Sequence, residues 1–235
     1  GVEKTHPQLQ IQLKLDELKT KPDILEDEAK AIQKEFSVIE KPVVIDLKKA
    51  HLGLVGEKSV IHEQIKALIC QLTFFHSYHD LEIIAIYDEA YQEDFQWMRW
   101  YPHFKIHTVN SVAMINSENK RDQILGSLYQ ILKDRKQKEE ESKKESTFLP
   151  HFLFLIDEPK WIMDHSIMEY LEKEGYNLGF SIIYTSHLRA NLPENIGTIA
   201  MLKNSEDGLL LIDEREEKQE KFRLHNMQEI PLEWL

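Results

Sequence analysis

Two short stretches carry residue types that could act on a phosphate. The first, "HFLFLIDEP" (151–159), is an apolar run closed by Asp157 and Glu158. A carboxylate pair at the end of a buried strand is a Walker B pattern, in which the aspartate holds Mg²⁺ through water and the glutamate orients the attacking water. The same two residues stand before Pro159, and acidic side chains followed by proline also cap the first turn of a helix. The second stretch, "HLGLVGEKS" (51–59), runs from an apolar strand through Gly53 and Gly56 to Lys58 and Ser59. A phosphate loop is Gly, four residues, then Gly-Lys-Ser/Thr. Its backbone N–H groups wrap the phosphates while the lysine and hydroxyl serve the terminal phosphates and Mg²⁺. Anchored on Lys58 and Ser59, that pattern puts Glu57 at the last glycine position and Leu52 at the first. Anchored on Gly56 as first glycine, it puts Ile61, His62 and Glu63 in the Gly-Lys-Ser slots. Neither register works, so the expected use of the glycines is a tightly packed strand–turn–helix corner, with Lys58 of little consequence for stability.

Other constellations point less directly to chemistry. "QWMRWYPHF" (96–104) gathers Trp97, Trp100, Tyr101 and Phe104 around Arg99, as a core segment or a partner-docking surface would. His76 and His79 in "HSYH" are three apart, but no cysteine or acidic cluster completes a ligand set beside them, and no metal site is expected. No Gly-x-Ser-x-Gly elbow and no Cys/His nucleophile pair is present.

The elements that would position these residues alternate. Strands are expected at 8–15, 42–47, in "HLGLV", at 81–87, in "KIHTV", at 151–156 and 180–185, and in "IGTIAML", "GLLLID" and "EKFRLH". Helices are expected at 25–36, 59–75, 119–133 and 160–173. Near-continuous apolar runs such as "LEIIAIY" are strands buried on both sides of a parallel sheet. The order therefore predicts an α/β fold, a mostly parallel sheet flanked by helices on both faces. One domain over 1–235 is expected, with an N-terminal strand/helix extension over 1–40 and a charged insertion over 134–147. That insertion lies in "KDRKQKEEESKKES", which has no apolar face and reads as a solvated helix extension or mobile loop.

Composition narrows the class. No apolar run approaches the roughly 18 residues that span a bilayer, and the first residues have no signal-peptide pattern. The chain does not begin with Met, and a piece of a longer protein is the expectation. One cysteine, Cys70, fits a reducing compartment. A net charge of −12 argues against a surface built for nucleic acid.

"HLGLVGEKSVIHEQIKALICQLTFFHSYHDLEIIAIYD", "FQWMRWYPHF", "PHFLFLIDE" and "NLGFSIIYTSHLRANLPENIGTIAML" together resemble the FtsK/SpoIIIE-type motors of type VII (Esx) secretion. With "KPDILEDEAKAIQKEFSVIEKPVVIDL" the resemblance covers nearly the whole chain, and it is to the domain between that family's transmembrane helices and its motor modules. It implies a RecA-like fold and a parent with two transmembrane helices that exports small helical-hairpin substrates. It also implies downstream ATPase modules of the same chain as partners, along with other secretion-system membrane components and a homo-oligomeric (hexameric) parent. The location implied is the cytoplasmic face of the cell membrane. In active modules a full phosphate loop precedes the first helix. Here the Walker A positions fall on Gly53, Gly56, Lys58 and Ser59, the Walker B positions on Asp157 and Glu158, and the nucleotide-sensing strand end on Thr185. The reading is a non-catalytic, ATPase-like domain with no catalytic residues and no cofactor of its own, ATP and Mg²⁺ belonging to other modules. Its rivals are an active module with a non-standard phosphate loop, a DNA translocase module and a stand-alone enzyme.

Overall fold

The computed structural model describes residues 2–5, 27, 28, 31, 32, 34, 39–141, 147–173, 176–194, 196–204, 207–212 and 218–224. Its strands are β1 (Val2–Thr5), β2 (Ile39–Pro42), β3 (Leu52–Val55), β4 (Leu81–Ile86), β5 (Lys105–Ile106), β6 (Ser111–Val112), β7 (Met114–Ile115), β8 (His151–Ile156), β9 (Phe180–Ser186), β10 (Thr198–Leu202), β11 (Asp207–Ile212) and β12 (Lys218–Arg223). Its helices are α1 (Lys58–Phe75), α2 (Gln92–Phe95), α3 (Glu118–Glu141) and α4 (Met168–Lys173).

The apolar runs decide the centre. β3, β4 and almost all of β8 and β9 are buried residue after residue, which only a sheet covered on both faces permits. They lie in one sheet of order β2-β1-β12-β11-β10-β3-β9-β8-β4-β7. The run from β10 to β7 is parallel throughout. The other side is an antiparallel extension from β10 through β11, β12 and β1 to β2. This is the α/β architecture expected, a mostly parallel sheet with helices on both faces. Residues alternate between two core layers. Leu52, Leu54, Ile83 and Ala85 face Ile61, Ile65 and Ile69 of α1, while Val55, Ile84, Ile86, Phe154 and Ile156 face Ile124, Leu125, Leu128 and Leu132 of α3.

Several elements differ from expectation. The strand expected at 42–47 ends at Pro42; Val43, Ile45 and Leu47 still pack on the α1-side core, but 43–46 is not strand. Alternation there reports packing, not a ladder. "KIHTV" contributes only β5, which pairs antiparallel with β6 in a separate ribbon. The strand that flanks β4 on the side away from β8 is the two-residue β7, too short to leave a periodic signal. The helix expected at 160–173 is a 3₁₀ turn at Pro159–Trp161 and then α4. Between them the Ile167 N–H donates to His165 Nδ1 at 3.1 Å, a local bond that competes with helix. Helical residues occur at 27, 28, 31, 32 and 34, within the helix expected at 25–36; the strand expected at 8–15 lies outside the described residues.

In the charged stretch the helix-extension alternative holds as far as Glu141, and the departure from the solvated reading is Arg135. α3 continues to Glu141, helped by the Lys136–Glu139 pair at 3.0 Å and the Gln137–Glu141 bond at 2.9 Å. Arg135 is buried: its guanidinium donates to the carbonyls of Leu178 (2.9 Å), Gly179 (3.1 Å) and Pro150 (2.6 Å) and lies 4.3 Å above the Phe152 ring. Burial pushes its pKa down to about 10. A cation in a charged run reads as solvent-facing, and only tertiary contact reveals it as an anchor.

Candidate functional site

The parallel strands β3, β9, β8 and β4 end side by side, and the crevice at the carboxyl ends of such strands is where open α/β sheets place ligands. Ile156 pairs with Tyr184, so Asp157 and Thr185, one residue further, lie level on neighbouring strands. Thr185 in turn pairs with Leu54, whose side chain faces α1. The pleat therefore turns Thr185 and Asp157 toward the first turn of α1, where Lys58 and His62 stand one helical turn apart.

These side chains meet. Asp157, whose side chain is 0% exposed, receives three donors: Thr185 Oγ1 to Oδ1 at 2.6 Å, Lys58 Nζ to Oδ2 at 2.9 Å, and His62 Nε2 near Oδ1 at 3.4 Å. His62 contacts Asp94 Oδ2 through Nδ1 at 2.9 Å, and its ring stands edge-on to Tyr91 and Phe95, each at 5.0 Å between centroids. Lys58 also lies 4.6 Å from the Tyr91 ring centre. Burial alone would raise the Asp157 pKa, but the bonds from His62, Thr185 and Lys58 outweigh it and hold the carboxyl below its ordinary value. Burial would likewise lower His62, yet Asp157 and Asp94 raise it. The result is a closed cluster in which the ammonium and the imidazole are already turned onto carboxylates.

The turn between β3 and α1 is only Gly56 and Glu57. The Gly56 N–H donates to the Ser186 carbonyl at 3.1 Å, so it is not available as a phosphate donor. A Cβ on Gly56 would meet the Leu202 carbonyl oxygen at 2.7 Å, and one on Gly53 would meet the Leu192 side chain at 2.5 Å. Both glycines serve close packing. Ser59 and Glu57 are exposed, and Glu57 caps α1 without a side-chain hydrogen bond. Glu158 accepts the Lys160 N–H at 3.3 Å as cap of the turn that follows. For a nucleoside triphosphate with Mg²⁺, which the fold class suggests, the two-residue turn is shorter than a phosphate loop, and the lysine is paired with the aspartate. Against the expectation that Lys58 is of little consequence for stability, the structure pairs its ammonium with a buried carboxylate.

Sequence reasoning named Lys58, Asp157 and Thr185, which the structure brings together, and Gly53, Gly56, Ser59 and Glu158, which it does not use in this cluster. It missed His62, Asp94 and Tyr91. The i,i+4 spacing of Lys58 and His62 was a usable signal; Asp94 and Tyr91 were not, because they arrive from another segment. Of the aromatic stretch, Met98, His103 and Phe104 are buried, while Trp100 is 82% exposed. Among the described residues no three His, Cys, Asp or Glu side chains are grouped to hold a metal, and no helix is long and apolar enough to cross a membrane.

No protein-family model matches the chain. It is 35% identical over 203 residues to the ESX secretion system protein EccC of Geobacillus thermodenitrificans, covering 86% of this chain and 14% of that protein. It is 36% identical over 207 residues to the ESX secretion system protein YukB of Bacillus subtilis, covering 88% of this chain and 14% of the relative. It is 30% identical over 239 residues to the type VII secretion system protein EssC of Staphylococcus aureus, covering 100% and 16%. The chain thus spans about one-seventh of the length of the curated relatives it matches. Among solved structures, EssC (ATPases 2 and 3) from Geobacillus thermodenitrificans superposes with a TM-score of 0.62 at 12% identity, over 81% of this chain and 42% of that one. The DNA-packaging ATPase B204 of Sulfolobus turreted icosahedral virus superposes with a TM-score of 0.51 at 11% identity, over 77% of this chain and 100% of B204. At these identities the superpositions speak for the fold alone. Over the stretch it shares with them, the chain belongs to the type VII (ESX) secretion family of EssC, EccC and YukB and has an ATPase-type fold.

Proposed function

We propose that this chain is a non-catalytic, ATPase-like module of a type VII secretion motor. It would join the parent's membrane anchor, at the cytoplasmic face of the cell membrane, to downstream ATPase modules of the same polypeptide. The observation that carries the reading is the Lys58–Asp157 pair at 2.9 Å. The two groups that would hold phosphate and Mg²⁺ are bound to one another, beneath a two-residue turn with no phosphate cradle. Without those donors, ATP would bring its negative charge against Asp157, Asp94 and Glu57. ATP and Mg²⁺ then belong to other modules, and this domain acts through its surface, on neighbouring modules, other membrane components or further copies in an oligomeric parent. The acidic balance of the chain speaks against nucleic acid as a partner.

One feature favours the rival, an active module with a non-standard loop: Lys58 is 35% exposed and could swing outward. Calorimetry with ATP and Mg²⁺, paired with phosphate release, tests the two on the unaltered chain, Lys58→Ala and Glu158→Gln. The expected result is no binding and no turnover in any of the three. Micromolar binding that Lys58→Ala abolishes would overturn the non-catalytic reading.

A further inference from the structure

A second cleft, of about 290 Å³, opens at the β7 edge of the sheet. It lies between the carboxyl end of β4, the 3₁₀ turn that holds Arg99, and the N-terminal half of α3. Its charged lining residues are Arg99 and Lys120; no carboxylate lines it, in a chain with 41 acidic residues against 29 basic ones. Among the described residues neither cation forms an ion pair, and Arg99 rests 5.6 Å from the exposed Trp100 ring.

A hydrogen-bond chain fixes the polarity of the wall. Lys120 Nζ donates to Asn116 Oδ1 at 2.9 Å, and an ammonium can only donate. Asn116 must therefore present Nδ2 to Gln92, whose Oε1 receives it at 2.6 Å and the Tyr87 hydroxyl at 3.0 Å. With its oxygen doubly engaged, Gln92 has only N–H donors left for the cleft. Gln92, Arg99 and Lys120 thus all offer donors, and Val112, Met114 and Ile124 supply an apolar wall beside them.

We propose that this cleft binds a carboxylate carried on an apolar stem, that is, a short acidic and partly apolar segment of a partner polypeptide. The donors and the two cations, which have no ion-pair partner among the described residues, call for an anion. The apolar wall, with Trp100 82% exposed close by, calls for a side chain attached to it and suits a free inorganic ion poorly. None of the residues lining the cleft belongs to the Lys58–Asp157 cluster, although Gln92 stands between Tyr91 and Asp94 in the chain, so peptide binding and nucleotide binding can be read out separately.

The test is calorimetry of the whole chain at low salt with a blocked hexapeptide of alternating leucine and glutamate. Its glutamine counterpart and inorganic phosphate serve as the other probes. The glutamate peptide should bind saturably, and roughly 5–10-fold more weakly to Arg99→Gln or Lys120→Gln, a range set by charge-assisted bonds at a partly exposed site. Gln96→Glu, nearly isosteric and exposed, places an anion in the cleft and should weaken binding by a similar factor without changing the melting temperature. Absence of saturable binding, equal affinity for the glutamine peptide, or affinity unmoved in folded variants would overturn the proposal. Displacement of the peptide by equimolar phosphate would also overturn it, in favour of a free-anion site.

Discussion

Replacing Lys58 with methionine keeps an unbranched stem near Tyr91 and removes the ammonium that neutralises Asp157. Deleting one member of a buried ion pair costs about 3–5 kcal/mol when nothing else compensates. Here the Lys58 side chain is 35% exposed, so solvent already screens part of the attraction. Thr185 and His62 also continue to contact the carboxylate. The expected loss is therefore about 1–2 kcal/mol, or a melting temperature lower by about 2–8 °C for a domain of this size. Urea unfolding followed by circular dichroism should be run on Lys58→Met, Asp157→Asn and the double variant. Once Asp157 is neutral the ammonium has no charge to offset, so the double variant should be about 1 kcal/mol more stable than the single effects sum to. The Asp157 pKa is lowered in the fold, so its contribution is present above the ordinary carboxylate value of about 4 and lost as pH falls through the folded value. The Lys58→Met penalty should shrink correspondingly in acid. A single variant within about 0.3 kcal/mol of the parent, or strictly additive effects, would refute the claim that the pair holds the corner together.

Acid should destabilise the chain through two other histidines. Burial pushes His51 and His151 down to about 4, so the unfolded chain binds more protons between about 6.5 and 4. Stability should then fall across that window by up to about 3 kcal/mol per histidine, and urea midpoints that stay flat from pH 7 to pH 4.5 would contradict this. His62 has the opposite sign: its raised pKa contributes below about 6.5, and the contribution is lost as pH rises through the folded value, which His62→Gln should abolish in the same titration. Arg135→Met strands the Leu178 and Pro150 carbonyls, while the Gly179 carbonyl keeps the Phe152 N–H, and should cost about 2–4 kcal/mol, with lysine a poor substitute for the fork of donors; a thermal melt unchanged within error would refute the anchoring role. Gly56→Ala should destabilise by about 1–3 kcal/mol through contact with the Leu202 carbonyl, and wild-type stability in a denaturant titration would count against the packing explanation of that glycine.

Local pattern was enough for much of the architecture. The runs at 81–87, 151–156 and 180–185 are apolar at every position because both faces are covered, so strand type and parallel pairing could be read without a partner in view. The failed phosphate-loop register at 52–59 was equally local, because a cradle is built from consecutive residues and their absence is visible in the chain itself. Pairings across the chain were not legible. Lys58 and Asp157 are 99 residues apart, and His62 and Asp94 are 32 apart; nothing in either neighbourhood names its counterpart. Arg135 looked solvated because its neighbours are charged, and its burial depends on carbonyls that the turn before β9 and Pro150 bring to α3. Sequence alone determined the layered α/β fold and the mismatch of residues 52–59 to the phosphate-loop pattern, since hydrophobic periodicity and residue spacing are properties of contiguous residues. Only the tertiary structure decided what Lys58, His62 and Arg135 do, because the fate of a buried charge depends on whichever distant group arrives to neutralise or bond it.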